Sequence, residues 1–324
     1  MRILYIGGTG EISFECVHES IRLGHDVTVF NRGNRNVGLP EQVHVIVGDV
    51  EDAAAYGRLA TERFDVVCQF RLFTPDAMRR DVELFTGHCG QYLFISSASA
   101  YAKPVRNLPI TEATPLHNPY WAYSRAKAAM EQILKAQSAL QYTIVRPSHT
   151  YRAKMPTALG GEVSRLLRDK PVVVHGDGES LWTVTHARDF ARPFARLLGA
   201  PAALGEAFHI TSDRQWSWNE IFEAIAAALG VTSPRLVHVA SDTLIHYKPE
   251  WEGPLLGDKS PSVRFDNNKV KSVVGAFECP IDLWRGMRMV AEEFPPRADA
   301  FDPAADALYD RIIDEQTGFA PTLA

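Results

Sequence analysis

The chain begins with the apolar run Arg2-Ile-Leu-Tyr-Ile6, which leads directly into Gly7-Gly-Thr-Gly10-Glu-Ile12-Ser13. The apolar run predicts a buried strand, and the spacing of apolar residues over Ile12–Leu23 predicts a helix. Glycine between a strand and a helix permits a tight turn and lets backbone N–H groups approach a pyrophosphate at the positive helix end. The stretch therefore predicts a dinucleotide-binding turn, with Ser13 at the position where a third glycine usually stands.

The alternation of strand and helix continues through the first 150 residues. Strands are predicted at Arg2–Ile6, Asp26–Asn31, Val43–Val47, Asp65–Phe70, Tyr92–Ser96 and Tyr142–Arg146. Helices are predicted at Ile12–Leu23, Ala53–Glu62, Asp76–Phe85 and Trp121–Ala136. Several strands are nearly all apolar, as in a parallel sheet covered by helices on both faces. The predicted fold class is α/β, a Rossmann-type doubly wound parallel sheet.

The pattern becomes less regular after Pro147. A capping box at Ser217 and Glu220 starts a predicted helix that runs to Leu229, and Asp302 precedes a proline at the first position of another. We therefore predict an NAD(P)-binding domain over residues 1–150, with returning segments around 175–210. Residues 151–324 are predicted to form a smaller mixed α/β lobe that binds substrate.

Composition narrows the class of protein. The chain has 324 residues, a net charge of −5 and 46% hydrophobic residues. The acidic balance argues against nucleic-acid binding, and no apolar run approaches the roughly 20 residues that span a bilayer. The four cysteines and eleven histidines lack the spacing of metal sites. We expect a cytoplasmic protein with reduced thiols and no metal, nucleic-acid or membrane partner.

Tyr123 and Lys127 are four residues apart in the predicted helix Trp121–Ala136, so their side chains share one face. A free tyrosine hydroxyl titrates near 10, and a nearby lysine cation favours the phenolate. Tyr123 is thus a candidate general acid or base, and the Ser97 hydroxyl is a candidate for orienting a substrate oxygen. Together with a bound nicotinamide, this set suits hydride transfer at an alcohol carbon.

The end of the second strand bears on the choice between NAD and NADP. A carboxylate at this position commonly holds the ribose of NAD, whereas an arginine accommodates the 2′-phosphate of NADP. Here Asn31 is followed by Arg32, with Arg35 nearby, which favours NADP. Alternatively, Arg32 stacks on the adenine of either cofactor. Asp49 is placed either to meet the adenine edge or to cap local structure.

These motifs occur in the order found in a known family: Gly7–Gly10, Phe94–Tyr101, Glu112, Pro115, Pro119, Tyr123, Lys127, Glu131, Arg146–Tyr151, Gly176–Gly178, His186 and Asp189. The chain resembles the extended short-chain dehydrogenase/reductase family, in its NAD-dependent epimerase/dehydratase-like branch. The resemblance implies catalytic roles for Ser97, Tyr123 and Lys127, and a homodimer. The predicted cofactor-binding residues are Gly7, Thr9, Gly10, Glu11, Ile12, Asn31, Arg32, Asp49, Val50, Phe70, Arg71, Ser96, Tyr123, Lys127, Pro147 and Ser148. Phe70 and Arg71 follow the fourth strand, where the family's usual motif is absent, and simple packing is the alternative for both.

The sequence departs from the family pattern where the substrate is expected. Trp182 stands where sugar-nucleotide enzymes of the family have a diphosphate-binding arginine, and His149 replaces a nucleotide-contacting asparagine. An indole stacks on a sugar or heterocycle but does not pair with phosphate. We therefore expect a substrate without a diphosphate, such as a free nucleoside, a glycoside or a polyol-like natural product, contacted by Ser97, Ser99, His149, Trp182 and Arg188. Alternatively, Trp182 lies in the core, and Arg188, Arg152 or Arg165 supplies the missing charge.

Positions 98 and 99 bear on the reaction itself. Ala98 and Ser99 occupy the positions of the Asp-Glu pair that drives elimination in the family's dehydratases, although His149 is an alternative base. The leading hypothesis is oxidation of a secondary hydroxyl on a sugar-like small molecule, followed by epimerisation or dehydration and return of the hydride. The alternatives are an NADPH-dependent ketoreductase of a natural product and a non-catalytic, cofactor-binding protein that binds RNA or regulates.

Overall fold

The computed structural model describes residues 1–318. Its strands, in chain order, are β1 (Arg2–Ile6), β2 (Asp26–Asn31), β3 (His44–Val47), β4 (Phe64–Gln69), β5 (Cys89–Ile95), β6 (Tyr142–Pro147), β7 (His149–Tyr151), β8 (Val172–His175), β9 (Leu181–Trp182), β10 (Val184–His186), β11 (Ala207–Ile210), β12 (Trp216–Ser217) and β13 (Leu236–Val239). Seven of them form one parallel sheet in the order β11-β6-β5-β4-β1-β2-β3.

The helices lie in the intervals between these strands and after the last of them. They are α1 (Ser13–Arg22), α2 (Ala53–Gly57), α3 (Pro75–Phe85), α4 (Ala122–Ala136), α5 (Glu162–Leu167), α6 (Ala187–Leu197), α7 (Trp218–Ala228), α8 (Ser241–Tyr247), α9 (Glu252–Pro254), α10 (Asn268–Val274), α11 (Leu283–Glu293) and α12 (Pro303–Thr317). A π-helical turn, Leu255–Lys259, directly follows α9.

Both faces of the sheet are buried, which explains why its strands read as continuous apolar runs. Ile3 and Tyr5 of β1 pack into a core with α1, α6 and α10, whereas Leu4 and Ile6 pack into a second core with α3 and α4. Side chains alternate between the faces of a strand, so a strand covered on both sides needs apolar residues at every position. The predicted α/β fold, a doubly wound parallel sheet, is confirmed.

The sheet gains one strand that the sequence did not predict. β11 pairs with β6, so the edge of the sheet comes from beyond residue 150, at the end of the returning segments predicted around 175–210. The remaining short strands form three two-stranded pairs, β7 with β10, β8 with β13 and β9 with β12. Trp182 and Trp218 lie in a separate core with α7 and α11. The proposed division into two domains stays a prediction.

Several absences hold for residues 1–318. Every helix there is too short or too polar to cross a lipid bilayer. No three His, Cys, Asp or Glu side chains of this part of the chain are grouped to hold a metal ion. The four cysteines are free thiols.

Candidate active site

The glycine turn lies at the point where the strand order reverses, between β1 and β4, which is where open α/β sheets bind ligands. Gly7 has a φ of +88°, and a Cβ there would overlap the Arg71 side chain. The Ser13 hydroxyl accepts a hydrogen bond from the Gly10 N–H at 2.9 Å and donates one to the Gly7 carbonyl at 2.6 Å. Ser13 therefore braces the turn from within, at the position of the usual third glycine.

A cavity of about 540 Å³ opens above this turn. Its lining residues are Gly7, Thr9, Gly10, Phe30, Asn31, Arg32, Asn34, Arg35, Gly48, Asp49, Val50 and Arg71. Three of them are arginines, and a glycine turn beneath three guanidinium groups fits the pyrophosphate and adenosine of a dinucleotide. The residues present thus fit the cofactor that the sequence predicts.

The loop after β2 is held by Asn31. The Asn31 side chain accepts a hydrogen bond from the Gly33 N–H at 2.7 Å and donates one to the Asn36 side chain at 2.8 Å. Its amide is therefore used within the loop. Asp49 lines the cavity and also accepts a hydrogen bond from the Glu51 N–H at 3.1 Å, so both interpretations of Asp49 have a structural basis.

A second cavity, of about 300 Å³, adjoins the carboxyl ends of β5 and β6. Its lining residues are Ile12, Ser97, Ala98, Ser99, Lys103, Trp121, Tyr123, Pro147, Ser148, His149, Thr150, Trp182, Asp258, Lys259, Val263 and Phe265. The structure thus brings Ser97 and Tyr123 to one cavity with the predicted nicotinamide segment, Pro147 and Ser148. Ser99, His149 and Trp182, which the sequence predicts to bind substrate, line it as well.

A chain of serine hydroxyls holds Ser97. The Ser97 and Ser99 hydroxyl oxygens are 2.8 Å apart, and the Ser124 hydroxyl donates to Ser99 at 2.7 Å. The Asn118 side chain donates to the Ser99 carbonyl at 2.8 Å, which fixes the backbone of the same turn. Because Ser124 follows Tyr123 on α4, the chain links the two predicted catalytic residues through buried hydroxyls. Ser99 therefore supports Ser97 as well as lining the cavity.

Lys127 lies one helical turn beyond Tyr123 but does not bond to it. Its buried ammonium donates to the carbonyls of Leu72 and Ile95, both at 2.8 Å, and lies 5.7 Å from the centre of the Tyr123 ring. Burial lowers the pKa of Lys127 to about 7. Burial also raises the pKa of Tyr123, and the neighbouring Ser97 hydroxyl only partly offsets the rise. The expected lowering of the Tyr123 pKa by Lys127 is not seen here, because burial dominates both groups.

Four further predicted residues line neither cavity. Glu11 accepts hydrogen bonds from three successive backbone N–H groups, those of residues 152–154, and so ties the glycine turn to the segment after β7. Phe70 packs between Tyr5 and Phe194, at ring-centre distances of 6.0 and 5.8 Å, so the packing alternative describes it. Ser96 is buried at the end of β5.

The fourth is Arg188, whose predicted contact with substrate is not supported. Its guanidinium pairs with Glu293 at 2.8 Å and lies 3.6 Å from Glu15, away from the cavity. The other two arginines considered as sources of charge are also placed elsewhere. Arg152 stacks over Phe14, and Arg165 pairs with Asp306 at 2.6 Å. No arginine lines the substrate cavity in the described part of the chain.

The burial of Trp182 contradicts part of the hypothesis that its indole stacks on the substrate. The residue lines the cavity, but only 2% of its surface is exposed, and its ring lies 5.6 Å from that of Trp218 in the core. A ring packed in this way does not offer a free face to a sugar. The core alternative therefore describes the indole better than the stacking hypothesis does.

The sequence reasoning missed several groups that line the cavity. Lys103, Asp258 and Lys259 bring charge, and Trp121 brings an aromatic ring. Asp258 and Lys259 belong to the π-helical turn, a rare geometry that often marks functional sites. Trp121 packs over Gly253 and Gly257: an added Cβ would meet its ring at Gly253 and its own Cβ at Gly257. Only Lys103 had a local signal, because it stands two residues after the Phe94–Tyr101 motif.

His149 lies in the same cavity as a neutral base. Burial lowers its pKa to about 3, with a further contribution from the Lys259 cation. The imidazole is therefore uncharged at neutral pH and has a nitrogen able to accept a proton or a hydrogen bond.

The comparison with protein-family models decides the family. The model described as the NAD dependent epimerase/dehydratase family matches residues 3–211. The chain belongs to this family. It is an NAD(P)-dependent enzyme of the extended short-chain dehydrogenase/reductase type, as the motifs predicted.

Three curated relatives differ in their named roles: a reductase, an epimerase and a stem-loop binding protein. A 2'-dehydrokanamycin reductase of Streptomyces kanamyceticus is 30% identical over 241 residues, which cover 71% of this chain and 67% of the relative. A UDP-glucose 4-epimerase of Lactobacillus helveticus is 25% identical over 85% of this chain and 91% of its own. The chloroplast stem-loop binding protein of 41 kDa b of Arabidopsis thaliana is 26% identical over 73% and 65% of the two chains.

Solved structures show the same fold. The UDP-glucose 4-epimerase of Thermotoga maritima with UDP-glucose superposes with a TM-score of 0.73, covering 91% of this chain and 98% of the other. The two sequences are 22% identical, so the likeness concerns the fold.

Proposed function

We propose that this enzyme transfers a hydride to and from a secondary alcohol carbon of a sugar-like small molecule, and that epimerisation or dehydration precedes return of the hydride. One observation carries the proposal: Ser97 and Tyr123 line one cavity with Pro147 and Ser148, next to a glycine turn that fits a dinucleotide. Bound NAD(P) would supply the hydride acceptor.

Each catalytic group has a role that its surroundings support. Tyr123 removes the hydroxyl proton as the alcohol is oxidised and returns it when the ketone is reduced. Ser97, held by Ser99, orients the substrate oxygen between its own hydroxyl and that of Tyr123. Lys127 is fixed by two carbonyls, which leaves one ammonium proton for a cofactor hydroxyl beside Tyr123.

The Tyr123→Phe variant tests this assignment. The variant keeps the ring and loses the proton-transferring hydroxyl, so we expect turnover to fall by at least about a hundredfold. Cofactor affinity, measured by calorimetry, should change little. Ordinary turnover by a correctly folded Tyr123→Phe enzyme would rule out Tyr123 as the acid/base group.

NADP is the proposed cofactor within this NAD(P)-dependent family. Arg32 and Arg35 line the cavity near the end of β2, where a carboxylate would favour NAD, and Asn31 is uncharged. Arg32→Ala should weaken NADP more than NAD, because only NADP has the 2′-phosphate. Equal loss of affinity for both cofactors would instead indicate stacking of Arg32 on adenine.

A substrate without a diphosphate is also part of the proposal. Its support is the cavity lining, which contains no arginine within residues 1–318, and the small volume of about 300 Å³ that substrate and nicotinamide would share. Isothermal titration of the enzyme–cofactor complex with UDP-glucose tests this expectation. Binding in the micromolar range would overturn it.

Net ketone reduction is the second candidate. The similarity to a 2'-dehydrokanamycin reductase favours it, as does the lack of carboxylates at Ala98 and Ser99. Stoichiometry separates the two reactions. Substrate turnover with a catalytic amount of cofactor and no net change in absorbance of the reduced nicotinamide would exclude a simple reductase.

An RNA-binding role remains as a third candidate because one relative is named a stem-loop binding protein. The net charge of −5 counts against it, as does the presence of Ser97 and Tyr123 in one cavity. Steeply salt-dependent RNA binding that survives Tyr123→Phe would favour it. The homodimer and the cytoplasmic location implied by the sequence stay predictions, and sedimentation analysis tests the first.

A further inference from the structure

Lys103 is a buried cation that the mechanism does not use. Only 4% of its surface is exposed, and it lines the substrate cavity. Its backbone N–H is bonded to the His117 carbonyl, but within residues 1–318 its ammonium has no hydrogen bond and no carboxylate at ion-pair distance. Burial lowers the pKa of Lys103, and the more distant Asp258 opposes the shift. The Lys103 side chain is largely enclosed, but its ammonium is not fully shut off and reaches the cavity without a protein partner, so a ligand that supplies a negative partner there is favoured.

The other charges of the cavity are already matched to each other. The Asp258 carboxylate lies 3.7 Å from the Lys259 ammonium, and their side chains are 18% and 11% exposed. His149 is neutral at pH 7, because burial lowers its pKa to about 3. Lys103 and Lys259 contribute +2 and Asp258 contributes −1, so the lining carries one excess positive charge, located at Lys103.

We propose that Lys103 binds a carboxylate on the substrate, which is therefore a sugar acid: a sugar-like ring that carries one carboxylate beside the hydroxyl oxidised at Tyr123. This inference rests on the function proposed above and names its substrate class. The Lys103 ammonium donates to the carboxylate, while Asp258 and Lys259 remain paired on the wall formed by the π-helical turn. Lys103 is thus a specificity-determining residue.

The charge balance favours a carboxylate over a phosphate. A carboxylate carries one negative charge and matches the one excess positive charge of the lining. A phosphate monoester carries nearly two negative charges at neutral pH, so one would remain unmatched close to the Asp258 carboxylate. A neutral sugar would leave the Lys103 ammonium with hydroxyl partners only. Both alternatives are less well matched to the cavity.

The test compares three probes of similar size: D-glucuronate, D-glucose and D-glucose 6-phosphate. Each is titrated calorimetrically into the enzyme with bound NADP, up to about 50 mM, which covers weak millimolar affinities. We expect glucuronate to bind about tenfold or more tightly than glucose, because hydrogen bonds to charged groups are the strong ones. In Lys103→Met this preference should disappear, and in Lys103→Arg most of it should remain.

Lys269→Met is the matched control, because it removes one lysine charge from an exposed ion pair with Glu206, outside the cavity. It should keep the preference of the unmodified enzyme. Circular dichroism and thermal unfolding establish that the Lys103 variants fold, and Lys103→Arg keeps the test informative if Lys103→Met does not.

Three results would overturn the inference. The first is binding of glucuronate no tighter than that of glucose, which includes the case in which neither binds. The second is an advantage of glucuronate that persists in Lys103→Met. The third is tighter binding of glucose 6-phosphate than of glucuronate, which would assign Lys103 to phosphate. Hydride transfer from glucose without a preference for glucuronate would contradict this inference and leave the proposed function intact. Lys103-dependent binding of glucuronate without any hydride transfer would do the reverse.

Discussion

The buried ion pair between Arg146 and Glu131 supports α4, the helix that carries Tyr123, and we predict that breaking it is strongly destabilising. Arg146 Nε donates to Glu131 Oε1 at 2.8 Å and Nη2 donates to Oε2 at 2.5 Å, with side chains 2% and 0% exposed. The pair joins β6 to α4, one turn after Lys127. Burial raises the pKa of Glu131, but the hydrogen bonds and charge of Arg146, together with the Ser96 hydroxyl and the Lys135 charge, more than offset it, so the pKa is lowered.

Glu131→Gln keeps the size of the side chain and removes its charge. The Arg146 guanidinium then stays buried with only the Tyr101 hydroxyl, 3.0 Å away, and an amide as partners. Loss of one partner of a buried pair costs about 3–5 kcal/mol of unfolding free energy. That is a large part of the roughly 5–15 kcal/mol that stabilises a typical domain. We also expect activity to fall at temperatures well below the wild-type midpoint, because α4 carries Tyr123.

Urea unfolding of four proteins measures the effect: wild type, Glu131→Gln, Arg146→Met and the double variant Glu131→Gln/Arg146→Met. The double variant leaves no uncompensated charge, so it should cost less than the sum of the two single variants. Lys135→Met is the matched control. Its ammonium lies 3.4 Å from the same Glu131 carboxylate but is 37% exposed, so its loss should cost at most about 1 kcal/mol.

Two results would refute the reasoning. If Glu131→Gln costs less than about 1 kcal/mol, the pair contributes no more than a surface ion pair. The second is a double variant that loses as much unfolding free energy as the two single variants together. The two charges would then act independently, and the bidentate contact would not stabilise the fold.

Two further predictions concern pH and the serine chain. Asp81 is fully buried and accepts hydrogen bonds from Tyr56 and Tyr92, and burial raises its pKa from 3.8 to about 6. The folded state therefore holds this proton more tightly, so the unfolding free energy of the wild type relative to Asp81→Asn should fall by about 2 kcal/mol between pH 4 and 7; parallel pH profiles in urea would contradict this. Ser99→Ala frees the Ser97 hydroxyl and should lower kcat about fivefold with unchanged cofactor affinity; weaker cofactor binding would indicate a structural role instead.

The main sheet was largely predictable because its strands are apolar on both faces. β1 and β2 begin and end at the predicted residues, and the other four predicted strands differ by one to three residues at their ends. β11 was missed because Ala207–Ile210 is only four residues long, and it pairs with a strand some sixty residues earlier. No local pattern encodes a pairing of that kind.

The residues of the candidate site also fall into two groups, those that local sequence spacing identifies and those that only the fold brings together. Gly7, Ser97 and Tyr123 follow strands or begin a helix, so local spacing was enough to find them. Lys103 and Asp258 are separated by 155 residues in the chain. They line the same cavity only because the π-helical turn packs against Trp121. The sequence position of Trp182 did not decide whether its indole lies in the core or contacts substrate. Its burial depends on Trp218, which belongs to another element.

The two walls of the substrate cavity have different origins, and this has a consequence for substitutions. Ser97 and Tyr123 are mounted on the sheet and α4, whose packing tolerates little change. Asp258 and Lys259 stand on a π-helical turn that contributes no strand to the sheet. Mutations in that turn can alter which molecule enters without disturbing the hydride chemistry. We therefore expect substitutions within residues 252–260 to change the lining of the cavity while Ser97 and Tyr123 keep their positions.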